Sequence, residues 1–219
     1  MIDFSSKGLK VKAEPVVWVT WLAKVLADPS ECTLPVYIQT RFSVLKEDTF
    51  TGDWAAKHGF LLEQIKARLS QSGRPCSLEQ EIAVTSRTGL KIAGAMDVWA
   101  PEHEGRPAVI IDAKTGRHKP AHRLQVNLYQ LMAKANDQLG CNVQPIGVLA
   151  YADSEIWIKA DEASPELSRR VAAVMEVIAA KNQPLPMPSR SNCRFCPVGH
   201  LCPDRHGLEK APAPAVEAF

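Results

Sequence analysis

The sequence predicts an α/β domain in which a central mixed β-sheet is flanked by helices and followed by a C-terminal region tied together by cysteines. Three observations carry that prediction. Residues 16–27, 51–70, 121–139 and 165–181 read as helices, the clearest of them with apolar side chains three or four residues apart. Between them, apolar or alternating runs bounded by turn residues read as strands at 79–85, 91–100, 108–114, 143–151 and 155–159. Past the last helix, Cys193, Cys196 and Cys202 crowd into ten residues.

With 219 residues, 46% apolar and 23% charged, the chain is long enough for one well-buried core, with room for a small appendage. A net charge of +2 gives no bulk argument for nucleic acid, so any such argument must be local. No apolar run approaches the roughly 18 residues of a spanning helix, which argues against a membrane protein. Lys24 interrupts residues 16–27 and no cleavage site follows, so that stretch is not a signal peptide. A cytoplasmic location is the expectation, and six cysteines in a reducing compartment point to metal or cluster ligation before disulfides.

Taken in order, residues 1–15 lack periodicity and read as a loose lead-in. Trp18, Trp21, Leu22 and Val25 share one face of the first helix; Cys32 follows, ahead of an apolar stretch at 34–42. Trp54, His58, Leu61, Leu62, Ile65 and Leu69 make the stripe of the second helix. His58 should therefore face the core, where a satisfied histidine is commoner than a metal ligand.

The stretch from Gly94 to Lys114 organises the rest. Asp97 and Asp112 each interrupt an apolar strand, and Lys114 must share a face with Asp112 because side chains alternate with period two. If the strands pair, two carboxylates and an ammonium converge. Buried charge needs a partner, and an internal ion pair is the common solution. A divalent-metal site is the other: Mg2+ takes carboxylate and carbonyl oxygens, leaving the lysine to stabilise charge on a substrate.

Beyond Lys114 the chain is locally basic, with Arg117, Lys119 and Arg123 close together, as a phosphate-positioning surface requires and as a solvated charge run also provides. Gln125 and Tyr129, four apart, are neighbours on one helix face. Residues 143–151 and 155–159 read as a hairpin, and 165–181 as an amphipathic helix. Pro184, Pro186 and Pro188 then hold the chain extended. The resulting division is a lead-in at 1–15, a core at 16–183, a cysteine segment at 184–207 and a disordered tail at 208–219.

The spacing Cys-x2-Cys-x5-Cys supplies three thiolates where zinc and iron-sulfur groups normally take four ligands. His206 would complete a local zinc site; Cys32 would complete an all-cysteine site and close the chain end to end. Spacing does not choose between them. Cys76 and Cys141 read as structural or incidental, and the default role of the assembled site is a structural staple.

Together these pieces resemble the RecB-like nucleases of the PD-(D/E)xK superfamily. The likeness is to the branch with a four-cysteine iron-sulfur cluster, which includes the CRISPR-associated exonuclease of spacer acquisition and the AddB-type nuclease domain. The matches keep the family's order over nearly the whole chain: Cys32, His58, Gly94-x-x-Asp97, Asp112-x-Lys114, Gln125-x3-Tyr129 and the terminal cysteines. The resemblance implies a restriction-endonuclease-like core and a metal-dependent deoxyribonuclease, an exonuclease on single-stranded DNA or DNA ends, working in CRISPR adaptation, phage recombination or repair. It implies that His58, Asp97, Asp112 and the main-chain carbonyl of Ala113 bind Mg2+ or Mn2+, and that Lys114 orients or activates the attacking water. Gln125 and Tyr129 would position the DNA backbone and the lysine, and Arg117, Lys119 and Arg123 would hold phosphates.

The resemblance also tips the fourth cysteine-site ligand to Cys32 and the bound group to [4Fe-4S] rather than structural Zn2+. Its implied partners are DNA and a protein of an adaptation or recombination complex; ring-forming relatives leave a homo-oligomer open. Asp112 departs from the glutamate many members carry, and no Gly-x4-Gly-Lys-Ser/Thr motor loop is present, which leaves a standalone nuclease or a subunit delivered to DNA by a partner. The rival from another class is an inactive DNA-end binding or adaptor protein stabilised by a zinc or iron-sulfur site. The intact acidic pair and lysine count against it.

Overall fold

The computed structural model describes residues 9–44, 52–141 and 143–206. The elements run β1 (Lys10–Val11), β2 (Val16–Trp18), α1 (Val19–Ala27), α2 (Leu34–Arg41), β3 (Phe42–Ser43), α3 (Gly52–Gln71), β4 (Ser77–Thr85), β5 (Lys91–Ala100), β6 (Val109–Lys114), α4 (Pro120–Lys134), β7 (Ile146–Tyr151), β8 (Glu155–Ile158), α5 (Pro165–Ala179) and α6 (Arg190–Arg194). Six strands form one mixed sheet in the order β2-β5-β6-β7-β8, with β4 also paired to β5. β5 is antiparallel to β4 and β6 and parallel to β2; β6 is parallel to β7, which turns back into β8. This is the restriction-endonuclease-like α/β arrangement the sequence predicts.

Helices cover both faces, which is why β6 reads as a nearly continuous apolar run. On one face Ile92, Met96 and Ile110 pack with Leu22 of α1, Leu128 and Tyr129 of α4 and Met175 of α5. On the other, Leu61, Leu62 and Ile65 of α3 meet Val98, Ile111 and Val148. Even-numbered residues of β5 should all share one face, yet Met96 belongs to the first layer and Val98 to the second. β4 changes sides in the same way between Ile82 and Leu78. Both strands therefore break step at Glu79 and Asp97, where Glu79 takes a left-handed backbone with φ of 49°.

A second irregularity opens the sheet beside that break. β4 runs along one edge of β5, while the other edge is shared: β2 pairs with Lys91 to Ala93 and β6 with Val98 to Ala100. Gly94, Ala95, Met96 and Asp97 thus have no strand partner on that edge.

Several boundaries differ from the sequence reading. The helix expected at 16–27 starts only at Val19, because the β-branched pair Val16 and Val17 joins β5 as a parallel edge strand. The lead-in is not wholly loose, since Lys10 and Val11 pair with Ser43 and Phe42. Residues 34–41 form a helix whose buried side chains, Leu34, Val36, Tyr37, Ile38 and Thr40, leave little periodicity to read. α4 stops at Lys134, followed by a separate 3-10 turn at Asp137–Leu139, and β7 begins at Ile146 rather than 143. The expected tail at 208–219 lies outside the described residues. Among those described, no helix is long and apolar enough to cross a membrane.

Candidate active site

The unpaired edge of β5 is where the candidate residues gather. Asp97 Oδ2 accepts a 2.7 Å hydrogen bond from the Ala113 N–H, so a carboxylate stands where the β5–β6 ladder would have continued. His58 Nε2, on α3, lies 3.6 Å from Asp97 Oδ1. Asp112, fully buried, accepts from Gln125 Nε2 at 2.9 Å through Oδ1, while Lys114 Nζ sits 2.5 Å from its Oδ2 and 3.2 Å from Gln125 Oε1. Tyr129, one helical turn beyond Gln125, donates its hydroxyl to Ala95 O at 2.8 Å, filling part of the gap in β5. Gly94 is required by that contact: a Cβ there would fall 2.8 Å from the Tyr129 ring and hydroxyl oxygen.

Both carboxyls are held in an environment that resists their charge. Burial pushes Asp112 up to about 7 despite Lys114, with Asp97 adding like-charge repulsion. Burial also raises Asp97, moderated by the Ala113 N–H, His58 and Lys114. Asp112 Oδ2 is held by the Lys114 ion pair alone. Two desolvated carboxylates supply hard oxygen donors of the kind a divalent cation takes. As the side chains stand, no three His, Cys, Asp or Glu among the described residues close tightly enough to hold an ion.

Above these residues lies a cleft of about 480 Å³ whose walls include Asp97, Lys114, Arg117, Lys119, Gln125 and Tyr129. Arg117 and Lys119 thus line it. Arg123 does not: its guanidinium makes two 2.7 Å bonds to Glu162 and is not part of the cleft wall. Sequence reasoning missed three residues here. Trp18 and Trp54, read as core, are 44% and 56% exposed and line the cleft. His122, also in the wall, has Nδ1 3.0 Å from the Tyr151 hydroxyl. Burial, Lys114 and Lys119 push that histidine down to about 4, so it is neutral near pH 7. The register that sets Tyr151 beside Lys114 comes from β7, over thirty residues downstream.

At the far end of the chain, Cys32, Cys193, Cys196 and Cys202 line one pocket. The Met187 N–H donates to Cys32 Sγ and the His206 N–H to Cys193 Sγ, both at 3.3 Å. The His206 residue is exposed and does not line the pocket. Four soft thiols facing one pocket fit zinc or an iron-sulfur group by their chemistry. The segment is anchored by Asn192 to Ser30 O and by Tyr37 to Lys181 O. Val198 and Leu201 pack on Leu34, Tyr37 and Ile38.

The fold and this carboxylate-lysine site define a class, and comparison with known proteins gives it a name. The chain belongs to the PD-(D/E)XK nuclease superfamily, whose family description matches residues 20–203. It is accordingly a metal-dependent nuclease, a hydrolase that engages DNA. Fifteen chains among solved structures match. One, titled "Crystal structure of SSO0001", is 17% identical, covers 91% of each chain and superposes with a TM-score of 0.54; at that identity the likeness concerns the fold alone. No curated protein matches the chain significantly.

Proposed function

We propose that the protein is a Mg2+- or Mn2+-dependent exonuclease on single-stranded DNA or DNA ends, stapled by a [4Fe-4S] cluster on Cys32, Cys193, Cys196 and Cys202. The observation that carries the reading is the convergence of Asp97, Asp112 and Lys114 at the unpaired edge of β5, under a cleft that also holds Arg117 and Lys119. His58, Asp97, Asp112 and the main-chain carbonyl of Ala113 are the residues that would hold the divalent ion. When bound, that ion polarises the scissile phosphate and acidifies water. Lys114, once free of Asp112, is placed to hold the attacking water and to stabilise negative charge on the phosphoryl oxygens. Gln125 touches both Asp112 and Lys114, so it sets the distance between them. Tyr129 keeps the β5 gap from closing by bonding Ala95. Arg117 and Lys119 position the strand through its phosphates.

Cys32 is favoured over His206 because it lines the cysteine pocket and His206 does not. CRISPR adaptation, phage recombination and repair are the processes that supply such substrates, with delivery by a protein partner or by self-association. The test is cleavage of end-labelled single- and double-stranded DNA by anaerobically purified protein, with and without EDTA. Progressive shortening of single strands in Mg2+ or Mn2+ is expected, with a loss of about 100-fold or more in Asp97→Ala, Asp112→Ala and Lys114→Ala. Undiminished cleavage in all three variants overturns the assignment.

A further inference from the structure

Two tryptophans line the cleft and keep much of their surface exposed. β2 alternates, and Val17 is in the layer that holds α1 and α4, so Trp18 points to the opposite face, the one α3 covers. Trp54 stands at the start of α3, on that same side. Its indole stacks on His58, with centroids 5.0 Å apart and planes 12° apart. Trp18 remains 44% and Trp54 56% exposed among the described residues. Large aromatics left in water next to a reacting centre cost hydrophobic burial that the core could have used.

We propose that Trp18 and Trp54 are a base-stacking platform, so that the cleft takes a strand with its bases unpaired. The proposal rests on the nuclease reading of the cleft and names what that cleft selects. The charge pattern identifies the occupant: Lys114, Arg117 and Lys119 line the same cleft, supplying cations for a phosphate backbone beside aromatic faces for bases. An apolar peptide would use the tryptophans and leave the cations unpaired, and an intact duplex offers phosphates but keeps its base faces stacked on each other. The platform also lies close to the chemistry. His58 stacks on Trp54 and approaches Asp97 at 3.6 Å, so the stacked base belongs to a nucleotide next to the bond that is cut. Stacking on an indole is indifferent to base identity, so the platform discriminates single from paired strands and not one sequence from another.

The test measures binding in EDTA, where nothing is cleaved, using the full chain and three probes: oligo(dT), an abasic strand with the same number of phosphates, and a blunt duplex. Oligo(dT) is expected to bind about 5- to 150-fold tighter than the abasic strand and to quench tryptophan fluorescence, the abasic strand leaving it unchanged. Trp54→Ala and Trp18→Ala should each erode that preference while leaving abasic binding as it was, and Trp54→Phe should restore most of it. Equal affinity for oligo(dT) and the abasic strand overturns the platform, as does an alanine variant that weakens both probes alike. The two readings fail separately. Base-dependent binding with no cleavage in Mg2+ sinks the nuclease and leaves the platform; cleavage without base dependence does the reverse.

Discussion

Replacing Asp112 with asparagine should make the metal-free protein more stable above neutral pH while abolishing cleavage. Asp112 is raised from 3.8 to about 7, which amounts to about 4 kcal/mol against its ionised form. The asparagine side chain would keep the Gln125 bond through its own Oδ1, so the change removes charge rather than shape. The loss of Lys114's partner is already contained in that figure, because the attraction of Lys114 for the carboxylate is part of the value of about 7. A gain on the order of 4 kcal/mol is therefore expected at pH values above about 7. Because the folded value lies above the unfolded one, the native state holds the proton more tightly. The Asp112 contribution to wild-type stability is therefore full below about pH 4 and is lost as pH rises through about 7, and the asparagine variant lacks that part of the slope. Urea denaturation in EDTA at a series of pH values measures both curves. Adding Mg2+ should then restore the wild type, by about 2.7 kcal/mol at a hundredfold excess over Kd, and leave the variant where it was. A variant less stable than wild type in EDTA at alkaline pH would refute the reasoning: the Lys114 ion pair would outweigh desolvation, and Asp112 would be structural.

Gly94→Ala drives a methyl into Tyr129 and should cost about 1–3 kcal/mol in denaturant unfolding, with cleavage falling as the Tyr129–Ala95 bond is lost. Cys32→Ala should remove the brown colour and the absorption of anaerobically purified protein, whereas His206→Ala should retain both; the opposite pattern would make His206 the fourth ligand, and a colourless wild type would restore the zinc alternative. Arg117→Ala with Lys119→Ala should lower the salt dependence of oligonucleotide binding by about 1.4 in log-log slope, as for two phosphates on a single strand. Arg123→Ala should leave that slope unchanged and cost at most about 1 kcal/mol of stability, since Glu162 occupies it at the surface.

Asp112, Lys114 and the Gln-x3-Tyr helix were legible because each pair follows from one element's own periodicity. Asp112 and Lys114 share a strand face, and Gln125 and Tyr129 share a helix face. What escaped depends on partners far away in the chain. Val16 and Val17 become a strand only because β5 arrives about 75 residues later, and that strand turns Trp18 into the cleft. Trp54 obeys the helical stripe, but its turn of α3 stands at the cleft, beyond the sheet that buries Leu61 and Ile65. The change of face at Asp97 has no signature in alternation, because it is shared with Glu79 on a neighbouring strand. Arg123 read as a phosphate ligand because Glu162 is 39 residues distant.

The packing of Val198 and Leu201 on Leu34, Tyr37 and Ile38 has a consequence for synthesis. A polypeptide leaves the ribosome from its amino terminus, at roughly 5–20 residues per second, so α2 waits on the order of ten seconds before its cover exists. During that interval an apolar helix is bare to water or shielded by a chaperone. Cys32 waits for Cys202 over the same span, so the four thiols of that pocket come together only after residue 202 has been made.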